Sequence, residues 1–226
     1  MLVAFISDIH SNLEALEVVI KDIDKLKIKK IFCIGDVIGY GANPNDCLKI
    51  IKKRKIPCCL GNHEFAVIRE ETYGLNIFAA EAIMWTVDQI TKDNLEFIKN
   101  FPEKVETKLK GIKILMVHGS PFDPINEYVY PEYPLERIVD EFDYDVIIIS
   151  HTHIPFIRKI RECLIINSGA VGQPRDHNPD ACYVIFDTED KKAEIIRVKY
   201  DIRTVAEKII KSGLPQFLAQ RLFLGI

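Results

Sequence analysis

Leu2-Val3-Ala4-Phe5-Ile6-Ser7-Asp8-Ile9-His10-Ser11 starts with five apolar residues and ends in an Asp-x-His pair. A short apolar run followed at once by residues able to ligate a metal reads as a strand that delivers donors at its carboxyl end. The same order returns four times. Ile31–Ile34 leads into Gly35-Asp36, Ile56–Leu60 into Gly61-Asn62-His63-Glu64, Ile112–Val117 into His118-Gly119, and Val146–Ile149 into His151-Thr152-His153. Functional residues of open α/β sheets collect just past the carboxyl ends of strands, so the repetition predicts one shared site. Its donors exceed what one ion can use, which points to a two-metal centre for phosphoester hydrolysis.

Composition sets bounds on that reading. The chain has 226 residues, enough for a well-buried core and near the upper end of one domain, so residues 1–226 are expected to form one unit. It is 48% hydrophobic and 28% charged with a formal net charge of -3, which suits a soluble enzyme and argues against an extended nucleic-acid surface. The N-terminal strand has none of the features of a signal peptide, and no apolar run approaches the roughly 20 residues that span a bilayer. A cytoplasmic protein without membrane association is expected. Six cysteines (Cys33, Cys47, Cys58, Cys59, Cys163, Cys182) contain no C-x-x-C pair and lie mostly in apolar runs, as reduced core residues would.

Outward from the first strand, Ser11 and Glu14 have the spacing of a capping box, and Leu13, Leu16, Ile20 and Ile23 recur at helical intervals. A second helix is expected over Asn45–Lys53; Lys49, Lys52, Lys53, Arg54 and Lys55 cluster near its carboxyl end, where they favour the helix dipole and stay solvated. Residues 64–100 read as largely helical, with Ala79, Ala80, Ala82, Ile83, Val87 and Ile90 forming a stripe around Trp85. That segment serves as a packed layer, as a wall of the substrate pocket, or both. After His153 an antiparallel pattern is expected through Cys163–Ile166, Ala181–Phe186, a turn at Thr188-Glu189-Asp190, and Ala193–Val198. The tail, 201–226, starts with a helix over Ile202–Ile210, and Leu214–Ile226 is apolar enough to dock on the body or on a second copy in a homo-oligomer.

Asp8-x-His10, Gly35-Asp36-x-x-Gly39, Gly61-Asn62-His63-Glu64, His118-Gly119 and His151-x-His153, in this order at successive strand ends, resemble the calcineurin-like metallophosphoesterase superfamily from Met1 to about Tyr200. Gly39-Tyr40-Gly41, His118-Gly119-Ser120-Pro121 and the run Asn167 to Arg175 are similar to signatures of its small YfcE-like branch. The resemblance implies an α/β fold, a four-layer α/β/β/α sandwich of mixed β-sheets. It implies that Asp8, His10, Asp36 and His153 hold one divalent ion, that Asp36, Asn62, His118 and His151 hold a second, and that Asp36 bridges them. Imidazole, amide and carboxylate donors without thiolates fit Mn, Ni, Fe, Co or Zn. A hydroxide shared by the two ions would attack phosphorus in line. His63 would face substrate as proton donor to the leaving oxygen or hydrogen-bond donor to phosphate, and Glu64 would orient a ligand. Arg175 could fork onto phosphate oxygens of a small phosphoester substrate, whereas His177, in a polar loop, is expected to be solvated.

Two departures bear on function. Tyr40 stands where protein phosphatases of the superfamily carry a phosphate-gripping arginine, which weakens a phosphoprotein role. Ser150 precedes His151 where relatives usually have glycine, and would be strained if that backbone needs a positive φ. The leading expectation is hydrolysis of a small phosphodiester or nucleotide. Alternatives are a phosphomonoesterase or protein phosphatase, a nuclease being disfavoured by charge, and a non-catalytic binding scaffold of the same fold, which would be expected to lose metal residues that this chain keeps.

Overall fold

The computed structural model describes residues 1–226, all of them. The first run forms β1 (Leu2–Ile6), followed by α1 (Leu13–Lys25), β2 (Lys30–Cys33) and α2 (Pro44–Arg54). Three helices come next, α3 (Asn62–Arg69), α4 (Ile77–Gln89) and α5 (Lys92–Ile98), then β3 (Lys104–Leu109), β4 (Ile112–Val117), α6 (Glu136–Glu141) and β5 (Val146–Ile149). The chain continues through β6 (Phe156–Ile160), β7 (Cys163–Asn167), β8 (Ala181–Asp187), β9 (Lys192–Val198), α7 (Ile202–Lys211) and α8 (Gln216–Gln220), and ends in a 3-10 turn at Arg221–Phe223.

The strands make two sheets, in the orders β2-β1-β8-β9 and β3-β4-β5-β7-β6. Both are mixed. β1 runs parallel to β2, and β4, β5 and β7 run parallel to one another, while β8, β9, β3 and β6 are antiparallel to their neighbours.

The two-residue period of a strand explains the layering. From β1, Ala4 and Ile6 face a cluster with Leu16, Val19 and Ile23 of α1 and Leu48 and Ile51 of α2. Val3 and Phe5 face the other way, into a second cluster with Ile114 and Met116 of β4, Val146 and Ile148 of β5, and Phe186 of β8. On the far side of the second sheet, Ile147 and Ile149 pack against Leu135 and Ile138 around α6. Helix, sheet, sheet and helix thus stack in four layers. Both central faces are apolar, so the parallel strands carry unbroken hydrophobic runs instead of alternation.

Several local expectations change. Asn12, not Ser11, caps α1, its side chain accepting from the Ala15 N–H. Ile56–Leu60 does not form a full strand: Cys58 makes a single bridge to Cys33, and Pro57 has no N–H to extend the ladder. Cys163–Asn167 is parallel to β5 and antiparallel only to β6. The basic cluster on α2 is solvated as expected, with Lys52 paired to Asp93 and Arg54 to Asp24. All six cysteines are buried and unpaired. In the tail, Leu218, Ala219 and Leu222 dock on the body against Tyr40, Ala79 and Ala82. No helix is long and apolar enough to cross a membrane.

Candidate metal centre

Parallel strands of the two sheets end at one rim. β1 delivers Asp8 and His10, β2 delivers Asp36, β4 delivers His118 and β5 delivers His151 and His153, while Asn62 and His63 start α3. All of these side chains are buried; Asp8 is 0% exposed and Asp36 1%.

The loops hold unusual backbone. Asp8, His10, Asp36, Tyr40, His151 and His153 all have positive φ, between 47° and 68°. Such conformations cost non-glycine residues on the order of 1–3 kcal/mol each and persist only where surrounding bonds over-determine them. Here Asp8 N–H donates to Gly35 O (3.1 Å), His10 N–H to Asp36 O (3.0 Å) and Gly172 N–H to Asp8 O (2.9 Å). Ser150 is not among the positive-φ residues, so the expected strain is absent. Its hydroxyl instead donates to Ile34 O (2.9 Å) beside His118. Two glycines are dictated by contact. A Cβ at Gly61 would lie 2.1 Å from Asp36 Oδ1, and one at Gly39 would lie 2.0 Å from His63 Nδ1.

The orientation of the imidazoles is the central observation. His10 Nδ1 lies 3.2 Å from Ile38 O, His118 Nδ1 2.8 Å from Ile34 O, His153 Nδ1 2.6 Å from Gln173 O, and His151 Nε2 3.2 Å from Asn126 O. A carbonyl only accepts, so each of these nitrogens carries the proton and the other ring nitrogen turns a lone pair inward. The inward nitrogens come in two close pairs, His10 with His153 at 3.1 Å and His118 with His151 at 3.0 Å. Facing lone pairs at that distance repel. A proton on one ring relieves this, and so does a cation, which in addition meets the unpartnered Asp8 carboxylate.

Those carboxylates sit between the pairs. Asp8 Oδ1 is 3.3 Å from His153 Nε2 and 3.7 Å from His10 Nε2, and neither oxygen of Asp8 has a hydrogen-bond partner. Asp36 Oδ2 is 3.7 Å from His10 Nε2 and 3.4 Å from His118 Nε2, reaching both halves. Asn62 Oδ1 adds an acceptor 3.1 Å from His118 Nε2. A buried, unpartnered carboxylate is costly unless a cation meets it, and converging nitrogen and oxygen donors fit a divalent transition metal. Asp8, His10 and His153 form one group that could hold an ion, Asp36, His118 and His151 a second, and His10, Asp36 and His63 a third.

In the metal-free centre a proton on His118 takes part of the cation's place. Burial disfavours the imidazolium of His118, yet the Asp36 carboxylate outweighs it and raises the pKa to about 10. Burial pulls His151 down to about 2, helped by the charge on His118, and lowers His153 as well. Asp36 is held low despite burial, by His118 and His63.

Glu64 supports this arrangement from behind. Its Oε1 accepts from the N–H groups of Val37 (2.7 Å) and Ile38 (3.1 Å), and its Oε2 from those of Asp36 (2.9 Å) and Gly61 (3.1 Å). The carboxylate therefore fixes the Asp36 loop and the start of α3 together. Burial and Asp36 push its pKa up to about 7, while the four donors favour the charged form.

The buried ring of His63 lies 4.6 Å from those of both His10 and Tyr40. Its N–H donates to Asp36 Oδ1 (3.0 Å), and its buried Nδ1 has no partner. Burial lowers its pKa to about 3, so the ring is neutral. Arg175 reaches the Tyr40 hydroxyl (3.4 Å) and Gln173 Oε1 (2.9 Å). His177 is exposed and away from the centre.

Beside Asn62 and His151 opens a cleft of about 420 Å³ lined by Phe65, Tyr73, Leu75, Asn126 and Tyr128. Tyr128 stacks on His151 at 3.8 Å between centroids. The segment after Asn62 is thus a wall of the cleft near α3, whereas α4 packs through Ala79, Ala82 and Ile83. Asn126, Tyr128 and Gln173 are not evident from sequence. Asn126 and Gln173 act through backbone carbonyls, which any residue supplies, and only the aromatic density of Tyr128-Val129-Tyr130 offers a signal.

The calcineurin-like phosphoesterase superfamily domain model matches residues 1–191. The chain is 44% identical to the Methanocaldococcus jannaschii protein MJ0912, over 99% of this chain and 98% of that one. A crystal structure of a metallophosphoesterase from Sphaerobacter thermophilus superposes with a TM-score of 0.87 at 32% identity, covering 100% of this chain and 99% of the other. The hypothetical protein PH1004 from Pyrococcus horikoshii shares the fold at a TM-score of 0.90 and 21% identity, covering 100% and 98%. With the rim geometry and these matches together, the chain belongs to the calcineurin-like phosphoesterase superfamily.

Proposed function

We propose that the protein is a hydrolase of small phosphodiesters or nucleotides that uses two divalent metal ions. The observation that carries this reading is the inward convergence of ring nitrogens from four histidines on the buried carboxylates of Asp8 and Asp36, Asp8 having no hydrogen-bond partner. Asp8, His10, Asp36 and His153 would hold one ion, and Asp36, Asn62, His118 and His151 the other, with Asp36 Oδ2 shared. Ions bound there would polarise phosphoryl oxygens and make water acidic enough to attack near neutral pH.

The chain's own groups supply the rest. Asp36 is locked by the His63 N–H on its free oxygen and by Glu64 behind it. His63, neutral and packed between His10 and Tyr40, donates its ring N–H to a phosphoryl or leaving-group oxygen. Arg175 forks onto the remaining phosphate oxygens. The aromatic cleft beside His151 suits a flat leaving group such as an aryl ring or nucleobase. Tyr40 occupies the place of the phosphatase arginine, which favours a diester over a phosphoprotein. The six unpaired buried thiols favour a reducing, cytoplasmic setting.

Metal analysis of purified protein, followed by assays on bis(p-nitrophenyl) phosphate and p-nitrophenyl phosphate with added Mn or Ni, tests the reading. Turnover of the diester is expected to exceed that of the monoester. Comparable turnover would move the assignment to a phosphomonoesterase. No hydrolysis of either, with metal demonstrably bound, would leave a binding scaffold.

A further inference from the structure

The C-terminal tail brings a second guanidinium to the rim of the metal centre. Arg221, in the terminal 3-10 turn, and Arg175, in the loop after β7, both lie over the Tyr40 ring, with Cζ 5.9 Å and 5.8 Å from its centroid. Tyr40 in turn packs 4.7 Å from the ring of His10 and 4.6 Å from that of His63. The two cations therefore sit one aromatic ring away from the metal-binding imidazoles.

Neither guanidinium has a carboxylate side chain as partner. Arg175 donates to Gln173 Oε1 and to the Tyr40 hydroxyl, and Arg221 Nε donates to Ile226 O (2.6 Å). Asp176, adjacent to Arg175 in sequence, is taken by Arg197. Arg175 and Arg221 are both half-buried, and each opposes the other's charge. The pKa of Arg221 falls to about 10, first through burial and then through Arg175.

The juxtaposition is nevertheless fixed. Phe217 lies under the Arg221 guanidinium at 5.3 Å, and Leu218 and Leu222 anchor the turn in the cluster with Ala79 and Ala82. His177 N–H donates to Gly225 O (2.8 Å), tying the tail to the loop that carries Arg175. Gly225 has φ 62°, and a Cβ there would meet the Asn178 backbone at 2.8 Å, so this close approach depends on glycine.

We propose that Arg221, next to the phosphate-gripping Arg175, extends the site with an anion subsite for a second phosphoryl group of the substrate, so that esters carrying two phosphoryl groups, such as nucleoside diphosphates, are preferred over those carrying one. The proposal rests on the hydrolase reading above and adds Arg221 to it. Arg175 has no acidic partner, and Arg221, bonded through Nε to Ile226 O, keeps its Nη groups available, so both present N–H donors and positive charge to a phosphate. Arg175 N–H donates to His153 O (3.2 Å), next to a metal-binding ring, whereas Arg221 is held by the tail over Tyr40. That order places the reacting phosphoryl group at the metals and the second one beyond it. Arg221 falls outside residues 1–191, so the subsite is an addition by the tail to the part that the family model describes.

The test compares ADP with AMP, which differ only in the second phosphoryl group. In Mn-loaded protein, Arg221→Ala is expected to lower the ratio of kcat/KM for ADP to that for AMP by about tenfold or more, as loss of a charge-assisted bond requires, and Arg221→Lys to restore part of it. An unchanged ratio, or an equal fall for both substrates, overturns the subsite. A second arm needs no catalysis: EDTA-treated protein is melted in sodium sulfate and in sodium chloride at equal ionic strength. Sulfate should raise Tm more in the wild type than in Arg221→Ala, general salt effects being common to both. Equal shifts overturn the proposal. If the wild type hydrolyses neither nucleotide nor bis(p-nitrophenyl) phosphate, the hydrolase reading fails while the sulfate arm still decides the subsite.

Discussion

Asp36 has one carboxylate oxygen within 3.7 Å of imidazole nitrogens from both halves of the centre, and the other held by the His63 N–H. Asp36→Asn keeps the shape but removes the charge that both ions would share. Metal content, measured by elemental analysis, is expected to fall from two ions per chain to fewer than one; retention of both would contradict a bridging role. His63 contributes only its backbone to Asp36 and leaves its ring free, so His63→Ala should lower kcat by about 100-fold or more with metal content unchanged. Loss of metal instead would make the ring a ligand. Glu64 accepts four backbone N–H groups through two oxygens. A glutamine in its place would offer one oxygen and turn an amide donor toward the N–H groups on the other side. Glu64→Gln should therefore destabilise the fold by about 1–3 kcal/mol, read as a fall in Tm, through buried donors left unsatisfied.

At the scale of elements, β1 decides the layering because its two faces enter different clusters. Phe5 is fully buried between the sheets, while Leu2 on the same strand is 40% exposed. Phe5→Ala should cost about 3–5 kcal/mol in urea unfolding, and Leu2→Ala about 0.5 kcal/mol or less. A small effect at Phe5 would mean that the inter-sheet core is not the stabilising layer. The strands buried on both faces are legible in the sequence: β1, β2, β4 and β5 announce themselves as apolar runs that end in donors. What is not legible follows from exposure. Lys104–Leu109 and Phe156–Ile160 are half-exposed edge strands rich in charge, and their runs do not stand out from loop. Nor does apolarity say which strands share a sheet, since a run buried on both faces looks the same in either. At the site the side-chain donors can be read in advance, but the carbonyls of Ile34, Ile38, Asn126 and Gln173 that aim them cannot, because every residue carries one. Arg221 escapes sequence reading for another reason: the tail reads as an apolar docking segment, and its one inward charge shows its role only beside Tyr40 and Arg175.

For the whole molecule, the centre couples stability to pH in two opposed ways. His63 and His151 are buried neutral, with pKa values lowered to about 3 and about 2 from the ordinary 6.5. Unfolded chains bind protons there below about pH 6.5 that the folded protein does not, so the stability these groups contribute is present above that pH and is lost as pH falls, by up to about 1.4 kcal/mol per unit for each group. His118, raised to about 10, contributes stability that is complete below its ordinary 6.5 and is lost as pH rises through 10. Metal-free protein should therefore be most stable near neutral pH and weaken on both sides. A cation at His118 must displace the proton that this ring keeps up to about pH 10, so protons compete with it and the metal contribution shrinks in acid. Melting EDTA-treated and Mn-loaded protein at pH 5.5, 6.5 and 7.5 separates the two effects. The rise in Tm on adding Mn should be largest at pH 7.5 and smallest at pH 5.5, superimposed on a metal-free Tm that is highest near pH 6.5 and falls toward pH 5.5. A metal-dependent increment that stays constant across this range would mean that the imidazoles do not meet the cation.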